Sequence, residues 1–172
     1  MLTETTPAVI AENIPEELRE LEQWVCWRYE ERDDKLTKVP YTPLTLRRAS
    51  STDPATWSTF SEAHKAYEYG YDDLSDTEHN EPSYDGIGFV FSDDDPYCGI
   101  DLDKCRDPEA GDIAPWAVEI LDRVGDGYAE VSPSETGIHI IIRASVRGGG
   151  MRRGPVEMYS RGRYFTITGC AL

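Results

Sequence analysis

Cys98-Gly99-Ile100-Asp101-Leu102-Asp103 places two acids two residues apart inside a short apolar run. Successive side chains of a β-strand alternate between faces, so Asp101 and Asp103 share one face while Ile100 and Leu102 point to the other. Carboxylates side by side on a sheet repel unless a cation joins them. Two divalent ions about 3.5–4 Å apart, bridged by carboxylates and a triphosphate, would do so, and an all-oxygen ligand set favours Mg²⁺ or Mn²⁺. A strand that merely ends in solvated acids shows the same pattern, so the surroundings of the pair decide its meaning.

Downstream lies Ser132-Pro133-Ser134-Glu135-Thr136-Gly137-Ile138-His139, a turn rich in hydroxyls and glycine that leads into an apolar strand. Hydroxyls and exposed backbone N–H groups on such a turn can cradle phosphate oxygens, and His139 at the strand entrance can donate to one. A histidine beside an apolar strand is also a common structural residue. A third segment, Val156-Glu157-Met158-Tyr159-Ser160-Arg161-Gly162-Arg163-Tyr164-Phe165-Thr166-Ile167-Thr168-Gly169, reads as a hairpin with Glu157 on its first strand and Arg161 and Arg163 at its turn. Glu157 would complete a metal cage, and the arginines would neutralise phosphates or a template backbone; a surface Glu–Arg pair is the plain alternative.

Working outward, residues 1–12 read as a loose tail, and Pro15-Glu16-Glu17 open a short helix with proline and acids where its first turn tolerates them. A strand is expected over 24–29. Asp53-Pro54 caps a helix whose apolar positions Trp57, Phe60, Ala63, Ala66 and Tyr67 run to a stop at Gly70. The polar, acidic stretch 71–84 reads as a surface loop or insertion. Strands follow over 86–91, 98–103, 128–132, 138–144, 156–159 and 164–168, with one helix over 115–124 and a flexible glycine loop at Arg147-Gly148-Gly149-Gly150. Trp24, Trp27, Phe89, Val90, Ile100, Leu102, Ile140 and Ile142 are the expected core, Trp57 and Trp116 are read as helix anchors, and Tyr159 and Tyr164 are candidates for stacking on bases.

Taken in order, GIDLD, SPSETGIH and VEMYSRGRYFTITG resemble the three motifs of the archaeo-eukaryotic primase superfamily, and most closely the prim-pol domains of plasmids and phages. Lys38-Val39-Pro40-Tyr41, Ala49-Ser50, Asp53-Pro54 with Trp57, and Gly86-Ile87-Gly88-Phe89-Val90-Phe91 extend the resemblance over about residues 24–169. It implies that Asp101, Asp103 and Glu157 are catalytic metal ligands for two Mg²⁺ or Mn²⁺ ions. It also implies that Ser134 and His139 bind nucleotide, in template-directed transfer from a dNTP or NTP to a 3′-hydroxyl. Ser132 and Thr136 join that turn; Lys38, Arg161 and Arg163 are assigned to phosphate or to single-stranded DNA template on charge and adjacency alone. The implied fold is α/β (α+β): a mixed, mostly antiparallel sheet with an RRM-like catalytic half (86–172), an N-terminal α/β half (13–85) and a site in the cleft between them. A noncatalytic DNA-binding remnant and a metal-dependent nuclease remain as alternatives.

With 172 residues the chain fits one domain, residues 13–172, with one good core. No GxxxxGK[ST] motif marks an ATP motor; in the resembled family a helicase domain or protein frequently supplies it. Related chains continue beyond the third motif, so this one, three residues longer than Gly169, reads as truncated. No run is long and apolar enough for a membrane span and the N-terminus lacks the order of a signal peptide, so a cytoplasmic protein is expected. Four cysteines without a CxxC pair are expected as reduced thiols, and Cys98 and Cys105 give at most a weak zinc signal. The net charge of −16 would repel DNA if evenly spread. It is not: ten acids and no Lys or Arg lie between Tyr67 and Pro96, whereas Arg143 to Arg163 holds six arginines against Glu157 alone. An acidic surface of this kind is also what a halophilic host selects.

Overall fold

A computed structural model describes residues 6–70 and 84–172. The expected loop 71–84, apart from its last residue, and the first five residues of the expected tail lie outside the described residues. Tyr84 itself is buried in the larger core.

The first sheet begins with β1 (Trp24–Arg32) and β2 (Lys35–Tyr41), paired antiparallel from Cys26↔Tyr41 to Arg32↔Lys35. Asp33 and Asp34, both at positive φ, form the two-residue turn between them, the geometry whose twist matches flanking strands. Strand β3 (Gly86–Val90) pairs with the other edge of β1. The second sheet contains β4 (Tyr97–Leu102), β5 (Tyr128–Val131), β6 (Ile138–Arg143), β7 (Gly150–Arg153) and β8 (Val156–Tyr159), in the order β5-β6-β4-β8-β7. The last strand, β9 (Tyr164–Ile167), returns to the first sheet, which runs β2-β1-β3-β9. Among the described residues the α-helices are α1 (Glu16–Arg19), α2 (Phe60–Tyr69) and α3 (Pro115–Val124).

The α+β class expected from the sequence is thus what the structure shows, with every strand pair antiparallel and the strands divided between two sheets. The second sheet has the strand order of an RRM: β4 lies centrally, α3 follows it, and β6 and β8 flank it, with β7 standing where a second helix would. The third motif departs from the expected hairpin. β8 pairs with β4 and β7, whereas β9 pairs with β3, so the residues between Tyr159 and Tyr164 carry the chain from one sheet to the other.

The expected helix from Asp53 is also divided. Asp53 caps only a short 3₁₀ turn, Pro54–Thr56; Ser58 then bridges to Trp24, and Thr59 with Glu62 forms a capping box that starts α2 afresh. A capping box satisfies two orphan donors at once, and this places the helix start after Trp57 instead of before it. Trp57 therefore anchors no helix, while Trp116 packs with α3 as expected. The end of the expected loose tail (1–12) is tied down: Ile10 N–H donates to Thr168 O at 2.8 Å, and the adjoining Asn13 Nδ2 to Gly169 O at 2.9 Å.

The larger core joins Trp24, Cys26, Ile87, Phe89, Phe165 and Ile167 of the first sheet to Leu18, Ala63 and Ala66 of the helices and to Tyr97 and Ile141 of the second. The smaller core lies between α3 and the other face of the second sheet, around Ile100, Leu102, Ile138 and Ile140. Of the expected core residues only Ile142 is less than fully buried. Gly99 lies directly against two rings of the larger core: a Cβ there would stand 2.4 Å from the Phe91 ring and 2.5 Å from that of Phe165. Both rings are buried and cannot swing aside. Gly99→Ala is expected to destabilise the protein by about 2–3 kcal/mol, lowering Tm by roughly 5–10 °C in a melting experiment.

Candidate active site

Directly opposed residues on antiparallel strands project to the same face. The register of the second sheet sets Glu130 opposite His139, His139 opposite Asp101, Asp101 opposite Glu157, and Glu157 opposite Arg152. Five polar side chains from five strands thus form one transverse row, on the face turned away from α3. Asp101 stands at the centre.

His139 is held firmly. Its ring stacks on Phe165 with centroids 4.8 Å apart, and Nδ1 lies 2.9 Å from Thr166 O. Donation from Nδ1–H to that carbonyl leaves Nε2 facing Asp101 Oδ1 at 3.8 Å. On the other side, the Glu130 carboxyl is wholly buried and accepts from Thr168 N–H, from Gly169 N–H at 2.8 Å and from the Tyr128 hydroxyl at 2.6 Å. Burial, with the Glu130 carboxyl beside it, drives the Tyr128 hydroxyl pKa well above the ordinary tyrosine range. These contacts tie down Thr168 and Gly169 just past the end of β9, while His139 takes up the Thr166 carbonyl on β9 itself.

Asp101 has its pKa raised above the usual carboxylate range. Burial is the main cause, with the Asp103 and Glu157 carboxylates adding to it and His139 and Lys38 opposing. Glu157 is engaged twice, by Arg152 Nη1 at 2.9 Å and by the Tyr159 hydroxyl. That hydrogen bond, more than burial, raises the pKa of Tyr159.

A pocket of about 310 Å³ lies over the row, between the two sheets. Asp101, His139 and Glu157 line it from the second sheet; Lys38 on β2 and Tyr164 to Thr166 on β9 line it from the first, with Arg163 at its edge. The structure therefore brings Asp101, Glu157, His139, Lys38 and Arg163 together. Asp103 is exposed just past the end of β4. The turn with Ser132, Ser134 and Thr136 lies beside that same end, with Gly137 against Leu102 O, and its three hydroxyls form a chain of contacts of 3.0 Å each. Neither Asp103 nor the hydroxyl turn lines the pocket, and Arg161 points instead to Asp93, at 2.9 Å.

Glu130 and Arg152 were not singled out in the sequence, and only strand register reveals them as members of the row. A weak signal did exist for Glu130, an acid inside Tyr128-Ala129-Glu130-Val131 on the period of two. Among the described residues no three His, Cys, Asp or Glu side chains converge closely enough to hold a metal ion as they stand. All four cysteines are free thiols. No described helix is long and apolar enough to cross a membrane.

Fold and site together define an α+β domain whose RRM-like sheet presents a row of acids, a histidine and cations to a pocket. No family model matches the chain. It is 34% identical over 154 residues to the DNA Primase-polymerase of Nitratiruptor phage NrS-1, a match that covers 86% of this chain. The chain is homologous to that phage primase-polymerase, which bears out the prim-pol domain that the three motifs imply. It spans only 19% of the relative's length.

Proposed function

We propose that this chain is the catalytic core of a DNA primase-polymerase, transferring nucleotides from a dNTP or NTP to a 3′-hydroxyl on a single-stranded DNA template. The observation that carries the reading is the register placing Asp101 between His139 and Glu157 beneath a pocket edged by Lys38 and Arg163. In-line displacement at an α-phosphate needs little covalent chemistry from a protein; it needs positioning and neutralisation.

Asp101, Asp103 and Glu157 offer only oxygen donors, which suits Mg²⁺ or Mn²⁺, and these three would hold the ions. When bound, such ions activate the attacking oxygen and neutralise the pyrophosphate leaving group. Lys38 and Arg163 are placed to neutralise phosphate oxygens, and Ser134 and Thr136 offer hydroxyls at the Asp103 end of the sheet. His139, fixed by Thr166 and Phe165, is placed to meet a phosphate through Nε2. A helicase domain or partner protein would open duplex DNA for this core.

Glu157 must turn from Arg152 to serve as a ligand. Arg152→Ala is therefore expected to tighten Mn²⁺ binding about two- to fivefold by calorimetry, the modest figure that a pair with an exposed arginine allows. Primer synthesis and extension on single-stranded template should be lost in the Asp101→Ala/Asp103→Ala double variant; full activity in that variant would refute the assignment. Assays need several salt concentrations, since DNA binding weakens as salt rises. A nuclease or a noncatalytic remnant would be distinguished by titrating Mn²⁺ and dNTP: only the polymerase reading requires metal-dependent dNTP binding that Asp101→Ala abolishes.

A further inference from the structure

A second cavity, about 780 Å³, opens beside the catalytic pocket, and the two share Tyr159 and Arg163. One wall is the segment from Ser51 to Trp57; the other is the glycine turn at Gly148 to Gly150 with Arg152 and Arg161. Ser51 Oγ donates to Gly162 O at 3.0 Å and joins the walls at their base.

The glycines of the second wall seat particular side chains. Gly149 has φ +85°, and a Cβ there would stand 2.3 Å from Arg161 Nε, so the arginine lies where any other residue would block it. A Cβ on Gly150 would stand 2.7 Å from the Tyr159 ring, which lies across that glycine in the same way. The Arg163 guanidinium sits 5.1 Å from the centroid of the same ring. On the facing wall the Trp57 indole N–H donates to Ser50 O at 2.7 Å, which fixes a ring that remains partly exposed.

Asp93 and Asp94 also line the cavity, and Arg161 pairs with Asp93. Both partners of that pair are at least half exposed, so the bond is weak and a phosphate can displace the carboxylate. Fixed aromatic faces with arginines between them are the usual means of holding single strands. A lone nucleotide would also fit the volume. Continuity with the catalytic pocket favours a strand, because a strand has to pass from one to the other.

We propose that this cavity is the track of single-stranded DNA leading to the catalytic pocket, with Trp57 stacking on a base and Arg161 and Arg163 contacting phosphates. The proposal rests on the polymerase reading and extends it to the template.

The test is fluorescence anisotropy of a labelled oligothymidylate at low salt in EDTA, without nucleotide, so that the metal site takes no part. Trp57→Ala is expected to weaken binding about 5- to 100-fold. Arg161→Ala/Arg163→Ala is expected to weaken it at least tenfold and to flatten the log–log salt slope by about 1.4, from two lost phosphate contacts at about 0.7 each. Trp57→Phe, which keeps a stacking face and controls for folding, should stay within about threefold of wild type. Wild-type affinity in Trp57→Ala and the double arginine variant at matched salt would overturn the track. So would dATP in EDTA quenching Trp57 fluorescence and displacing the oligonucleotide, which would mark a nucleotide site instead. Metal-dependent dNTP binding, measured separately by calorimetry on wild type, reports on the polymerase reading alone: its absence with the anisotropy losses intact would leave a strand-binding module without catalysis.

Discussion

Asp101→Asn is expected to lower nucleotidyl transfer by about a thousandfold or more while making the protein more stable. The loss follows from removing the proposed central metal ligand, where several kcal/mol of charge stabilisation would be forfeited. The gain follows from the raised pKa of Asp101, which shows that its ionised form is unfavourable in the folded state, chiefly through burial and then through Asp103 and Glu157. Because the folded pKa lies above the unfolded one, the folded state binds the proton more tightly, and stability falls as pH rises through that interval. Asparagine avoids this cost. At neutral pH the variant should melt about 2–4 °C higher, equivalent to about 1 kcal/mol. The difference should fade as pH drops through about 4 and vanish well below it, where aspartate is protonated in both states. Added Mn²⁺ should raise the melting point of wild type and leave the variant unmoved. A variant no more stable than wild type at pH 7 would remove the burial argument.

Glu130→Ala is expected to be the most damaging single change to stability, at about 3–5 kcal/mol. Its carboxyl is fully buried and receives the backbone N–H groups of Thr168 and Gly169 and the Tyr128 hydroxyl. Alanine would strand all three donors, and an unsatisfied buried donor costs about 1–3 kcal/mol. Against a total of 5–15 kcal/mol, that loss is severe. Urea denaturation should show it, and a loss under 1 kcal/mol would mean that water reaches these donors. Glu130→Gln keeps one acceptor but turns an amide NH₂ toward other donors, so it should fall between.

Local sequence carried much of the second sheet. Val156–Tyr159 and Pro115–Val124 have the boundaries that apolar alternation and the proline start imply. Strand β2 was not anticipated because Lys35, Thr37 and Lys38 dilute its apolar pattern and its Asp33-Asp34 turn lacks glycine. β7 escaped notice because its four residues are exposed and the first, Gly150, belongs to the glycine run that reads as a flexible loop. The site was legible as residue types, since Asp101, His139 and Glu157 lie within recognisable motifs. Their adjacency was not, because cross-strand register depends on pairings between residues 38 and 56 positions apart. The supposed hairpin at Arg161 shows the same limit: nothing local says that β8 and β9 part company.

That parting shapes how the protein is made. The first sheet needs β9 to complete it, yet β9 pairs with β3 between residues 74 to 80 positions apart in the chain. At 5–20 residues per second a ribosome takes roughly 4–16 s to synthesise that interval. Throughout it, β3 has one edge bare and Phe89 lacks its cross-strand partner Phe165. Synthesis therefore leaves a window of seconds in which the nascent first sheet is open to pairing with other chains or to capture by a chaperone. Strands β4 to β6 are synthesised within that window, whereas β8, which brings Glu157 into the row, precedes β9 by only the residues 160–163.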